Sequence, residues 1–95
     1  MTEQQEDVIP NRITIADLNS KVKSSTYTRL PDSTTTVCQI TTVNGYTLVG
    51  TSACVDPAAF NQAIGEKIAY DNAFEQLWTL EGYLLMQRRH EAGLA

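Results

Sequence analysis

Apolar residues recur along this chain at two different periods, and the change between them divides it. From Thr34 to Val55 the spacing is two. One set of positions holds Val37, Val43, Tyr46, Leu48 and Cys54, and the other holds Cys38, Ile40, Val49, Ala53 and Val55. Alternation of this kind predicts strands over roughly 34–43 and 46–55, flanking Asn44-Gly45, whose tolerance of positive φ matches a two-residue type I′ hairpin turn. In that register Val43 faces Tyr46, Cys38 faces Thr51 and Cys54 faces Thr35. The two thiols then fall on opposite sides of the sheet. Both faces are partly apolar, so a helix covers one, while the amino-terminal helix or a second subunit is left to cover the other.

Past Val55 the period becomes helical. Asp56-Pro57 combines an N-cap acceptor with proline at the first helical position, so a helix is expected from Pro57 to about Glu91. Such a helix would be about 50 Å long at 1.5 Å per residue. Either it breaks near Thr79-Leu80-Glu81-Gly82, or it projects and pairs with another chain. The lack of any proline there favours the second. On a wheel, Phe60, Ala63, Ile64, Tyr70, Phe74, Leu77, Trp78, Leu84 and Leu85 form an arc wider than one sheet contact needs. Gly65, Ala69 and Ala73, four apart, are either a place for close backbone approach or ordinary helix formers with one tolerated glycine. Arg88, Arg89 and His90 complement the negative end of the dipole.

Upstream, Ile15, Leu18 and Val22 have helical spacing, with Thr14 as N-cap and Asp17 three residues on. The β-formers of SSTYTRL then predict a first, edge-lying strand, ended by the turn residues Pro31-Asp32-Ser33. The expected architecture is α+β: a short N-terminal helix and a three-stranded antiparallel meander packed with a long C-terminal helix. Residues 1–11, acidic through Glu3, Glu6 and Asp7, read as a flexible leader, and 12–95 as a single α+β domain.

Composition narrows the function classes. A chain of 95 residues with 42% hydrophobic content makes one small core and gains from oligomerising. A net charge of −4 opposes attraction to a phosphate backbone, so nucleic acid is a disfavoured partner. The amino terminus MTEQQEDVIP has no signal-peptide character, and no run of about 18 apolar residues occurs, which places the chain in the cytosol. Cys38 and Cys54 read as free, half-buried thiols in a reducing compartment.

Catalytic chemistry finds little support. The one histidine, His90, lies near the carboxyl end, where no rigid nucleophile–base pair can form. Two cysteines 16 positions apart with that histidine do not make a metal site. NGYTLVG lacks the glycine spacing of a phosphate loop. The chain is therefore read as a non-enzyme with neither cofactor nor metal. What the pattern offers instead is binding. Nine threonines between Thr26 and Thr51 serve β-propensity, yet Tyr27, Arg29, Thr35 and Thr36, with Thr34, also make a polar platform for a small ligand. Lys67 and Asp71, one turn apart within the apolar arc, form either a plain intrahelical ion pair or a register-setting pair at an oligomer seam. Trp78 and Tyr83 read as core or interface anchors.

TTTVC, the NGY turn, the segment from Gly50 through SACVDPAAF, IGEKIAYDNA and LWTLEGYLL together resemble the small tailed-phage proteins of the phage Sf6 gene 66 type, over about 27–88. The resemblance implies a small phage accessory protein made in the cytoplasm of the host bacterium. It supplies no catalytic or binding residue. In that context the expected function is stoichiometric: a homo-oligomer, dimer or higher, that binds and neutralises a host protein or a small nucleotide-like defence signal. The alternative is a structural or morphogenetic helper docking through its long helix.

Overall fold

In the computed structural model, which describes residues 9–94, Thr14 and Asp17 set the first element. The Thr14 hydroxyl accepts from the Asp17 N–H at 3.2 Å, and the Asp17 carboxylate accepts from the Thr14 N–H at 2.8 Å. This reciprocal box satisfies two otherwise orphaned donors and starts α1, Ile15–Asn19. The helix is shorter than its apolar spacing predicts. Ser20 caps it, and Val22, expected on its face, opens β1 instead and pairs with Thr42.

Strands β1 (Val22–Arg29), β2 (Thr36–Thr42) and β3 (Thr47–Ser52) form an antiparallel sheet in that order, the expected meander. Between β1 and β2, Asp32 takes the left-handed conformation at φ 55°, which aspartate tolerates better than most residues. The turn between β2 and β3 differs from expectation. A type I′ turn needs positive φ at both central residues, and here Gly45 alone has it, at 91°. Asn44 instead turns its Oδ1 toward the Thr42 hydroxyl (2.6 Å) and the Tyr46 N–H (3.2 Å), holding a three-residue loop of Val43, Asn44 and Gly45.

That extra loop residue shifts the register by one. Cys38 faces Gly50 and Ile40 faces Leu48, not Thr51 and Val49. Since side chains alternate, the shift changes which residues share a face. Thr36, Cys38, Ile40, Thr42, Leu48 and Gly50 all turn to the buried side, and Cys38 and Cys54 share one parity instead of lying on opposite faces. Both thiols are free, as expected. The outer face, with Gln39 and Val49 exposed, carries no second layer among the described residues; α1 contributes Leu18 to the same core as the sheet and the long helix.

The long helix starts later than Asp56-Pro57 implies. Asp56 caps only a single 3₁₀ turn, Pro57–Ala59, after which Phe60 is extended and Asn61 caps α2, Gln62–Glu91. From there α2 runs unbroken for 30 residues through Gly82, about 45 Å. Its buried stripe is Ala69, Ala73 and Leu77. Of the wide apolar arc, Leu77 alone is buried. The small-residue stripe is the true contact, and Gly50 of β3 is its partner: a Cβ there would lie 2.3 Å from both the Ala69 carbonyl oxygen and the Ala73 nitrogen. Of the expected leader, residues 1–8 lie outside the described residues, and Arg89 donates to the carbonyls of Ile9 and Pro10.

Candidate functional site

Because α2 rests on β2 and β3, the side chains of β1 that point toward the helix layer are left with a wall on one side only. Tyr27 sits opposite Cys38 and Arg29 opposite Thr36, so both share the parity of the buried face, yet both remain exposed. The facing flank of α2 supplies Tyr70 and Phe74, half-buried and stacked with ring centroids 5.8 Å apart. Beyond them Trp78 is 39% exposed. The result is an aromatic ledge along β1, open to solvent on its outer side.

Electrostatics tie the ledge together. Burial pushes the Cys38 thiol up from its usual range, with a hydrogen bond from the Tyr27 hydroxyl offsetting part of the effect and the Glu66 carboxylate adding to it. Burial also raises the Tyr70 phenol, reinforced by Tyr27, Cys38 and Asp71 nearby. Tyr27, Cys38 and Tyr70 are thus close neighbours at the foot of the ledge. At the end of the ledge the Arg29 guanidinium lies 4.1 Å above the Phe60 ring, a cation–π contact, and its Nε donates to the Ser33 carbonyl at 3.0 Å. Arg29 is thereby oriented while remaining accessible.

The residues expected to form a polar platform are divided by the structure. Tyr27 and Arg29 belong to the ledge. Thr36 is fully buried beneath the first turn of α2, where its hydroxyl has no hydrogen-bond partner and is the one such buried side-chain atom among the described residues. It cannot contact a ligand on the surface. Thr35 points into an open cleft of about 740 Å³ at the sheet end, also lined by Arg29, Asp32, Cys54 and Val55. There the Thr34 hydroxyl bridges the Cys54 N–H and C=O, extending the β2–β3 ladder with a side chain. Lys67 and Asp71 form the expected pair at 2.7 Å, well exposed on α2, where solvent leaves it little energetic weight.

A second concavity, about 430 Å³, lies where the hairpin loop meets the middle of α2. Leu77, Leu80, Leu84, Val43 and Tyr46 line it, and Lys21 reaches Glu81 at 3.8 Å on its rim. Neither this groove nor the placing of Phe60, Phe74 and Tyr70 along the ledge is legible in the sequence. The helical arc contained all three aromatics, but which flank of α2 stands over β1 depends on the small-residue contact with Gly50. Among the described residues no group of three or more His, Cys, Asp or Glu is placed to hold a metal ion, and no helix is long and apolar enough to cross a membrane.

Comparison with known proteins gives one family. A family model described as "Phage protein (N4 Gp49/phage Sf6 gene 66) family" matches residues 13–89, which takes in α1, the sheet and nearly all of α2. No curated protein and no solved structure matches the chain.

Proposed function

The chain belongs to the N4 Gp49/phage Sf6 gene 66 family of phage proteins, and on that premise we propose that it is a non-enzymatic accessory protein. It binds and neutralises a host target, a protein or a small nucleotide-like signal, as a homo-oligomer in the host cytoplasm. The observation that carries this reading is the aromatic ledge: Tyr70 and Phe74 stack on the flank of α2 that faces Tyr27, and at one end Arg29, held over Phe60, stands oriented and accessible. Aromatic faces with a fixed guanidinium are the side chains that dominate binding surfaces, because they bury large area at low entropic cost and Arg adds directional donors. A planar, anionic ligand or an acidic protein loop meets both requirements.

A second reading draws on the carboxyl-terminal half of α2. Leu80, Leu84 and Met86 stay exposed there and Tyr83 is 73% exposed, an arrangement suited to a docking helix in a structural or morphogenetic helper.

Affinity purification of the tagged protein from infected cells, with mass spectrometry of both proteins and small molecules, separates the two. Stoichiometric recovery of one host protein, or of one small molecule released unchanged by heat, supports the neutralising role. Recovery of virion proteins alone overturns it in favour of the structural helper. For the small-ligand version, the melting temperature rises with one member of a nucleotide panel according to RT ln(1 + [L]/Kd), and Arg29→Ala abolishes the rise.

A further inference from the structure

The two edges of the sheet are finished differently. At β3 the outward carbonyls of Val49 and Thr51 accept from the side-chain amides of Gln76 and Asn72 at 2.7 and 2.8 Å. These amides lie one turn apart on α2, and an incoming strand finds those acceptors occupied. At β1 no side chain bonds the outward backbone groups among the described residues. The strand is eight residues long and contains neither proline nor glycine.

Parity identifies those groups. Leu30 N–H donates to the Thr35 carbonyl at 2.9 Å, so alternation along the register makes Thr28·Val37 and Thr26·Gln39 the hydrogen-bonded pairs. Ser25, Tyr27 and Arg29 therefore direct N–H and C=O away from β2. Lys23 falls at the irregularity between Val22 and Ser24, which limits the regular edge to residues 24–29.

We propose that β1 pairs antiparallel with β1 of a second copy, about a twofold axis through Tyr27, to join two three-stranded sheets into one of six strands. An axis through Tyr27 pairs Ser25 with Arg29 of the other copy and Tyr27 with its own counterpart, so all three outward-facing residues bond one another. Centring on Ser25 sets Arg29 against Lys21, and centring on Thr26 sets it against Lys23, placing like charges opposite each other. Centring on Thr28 pairs only Tyr27 with Arg29.

The occupant is a second copy because the ledge lacks a wall as well as a strand. Strands lie about 4.8 Å apart, so helices seated over β2 and β3 of each copy stand roughly 19 Å apart across the axis, about twice the ordinary helix-packing distance. They do not touch. A cleft results, with Tyr27 from both copies on its floor and Tyr70 and Phe74 from both on its walls. An unrelated strand supplies only the backbone. This inference gives a location to the homo-oligomer of the proposed function and rests on that part of it.

The test uses the full chain. Light scattering should give twice the 10.5 kDa monomer mass. Ser25→Pro removes an outward N–H and no β1–β2 bond, so the chain stays folded by circular dichroism while the mass halves. Independently, in a Cys54→Ser background, Thr26→Cys and Thr28→Cys chains should form a disulfide-linked dimer when mixed and far less of one when each is oxidised alone, because residue 26 faces residue 28 across this axis. A monomeric native chain overturns both this inference and the homo-oligomer. A native dimer that ignores Ser25→Pro, or that gives no excess of mixed disulfide, overturns the edge pairing and leaves the homo-oligomer standing. Failure to recover a host target leaves the edge pairing intact and removes only the neutralising role.

Discussion

Gly50 lies directly beneath Ala73, so close that a Cβ on residue 50 would come within 2.3 Å of the Ala73 backbone nitrogen. Backbone meets backbone at this point, and neither β3 nor α2 can yield without moving the whole element. Gly50→Ala is therefore expected to destabilise the protein by about 3 kcal/mol or more, at the upper end for overpacking. Gly82→Ala is the control. Gly82 lies on α2 with open space where a Cβ would stand, so the added methyl should stabilise by about 0.5–1 kcal/mol through helix propensity. Urea denaturation of the two variants checks both signs.

Cys38 is fully buried under Tyr27 and Tyr70, with its thiol raised by desolvation, whereas Cys54 is half-buried. The thiolate is the reactive form, so at pH 8 an aromatic disulfide reagent should modify one thiol promptly and the second only at the rate of unfolding. Mass spectrometry should locate the first adduct on Cys54. Prompt double modification would contradict the packing of the ledge over Cys38. Because the folded thiol is raised, its contribution to stability is lost as pH rises through and beyond the ordinary thiol range.

Asp17 provides the acid-side counterpart. The Thr14 N–H, then the Thr14 hydroxyl, hold its carboxyl below the usual value of 3.8. A depressed carboxyl binds fewer protons folded than unfolded, so its stabilisation is present above that value and declines as pH falls through it. The melting temperature of Asp17→Asn should accordingly be lower than that of the native chain at pH 6. The gap should narrow at pH 3, measured by circular dichroism at both pH values.

Asn72 and Gln76 close the β3 edge. Replacing either by alanine should cost about 1 kcal/mol, the net worth of one hydrogen bond. The double variant should in addition form larger, concentration-dependent species in light scattering, since it frees the acceptors of Val49 and Thr51 for intermolecular pairing.

The elements themselves were legible because each rests on short-range chemistry. Thr14 signals an N-cap with Asp17 favourably placed against the dipole, Pro31-Asp32-Ser33 a turn, and the absence of proline from 62 to 91 an unbroken helix. The register was less so. Asn-Gly permits more than one turn, and the choice of a three-residue loop follows from Asn44 bonding Thr42 and Tyr46, which moves every β3 side chain relative to β2. The same limit applied at Asp56-Pro57, where proline chemistry starts either a 3₁₀ turn or an α-helix and the extended Phe60 ends the first.

What the sequence by itself determined is the order and kind of elements, since capping, turn and periodicity act between residues a few positions apart. What only the tertiary structure decided is which side of α2 is inside. Hydrophobicity pointed to the aromatic arc, but the closest approach of helix and sheet goes to the smallest residues, and Gly50 against Ala69 and Ala73 takes that contact. The aromatics displaced from it then line β1, and the ledge exists because packing distance, rather than apolar content, governs how a helix seats on a sheet.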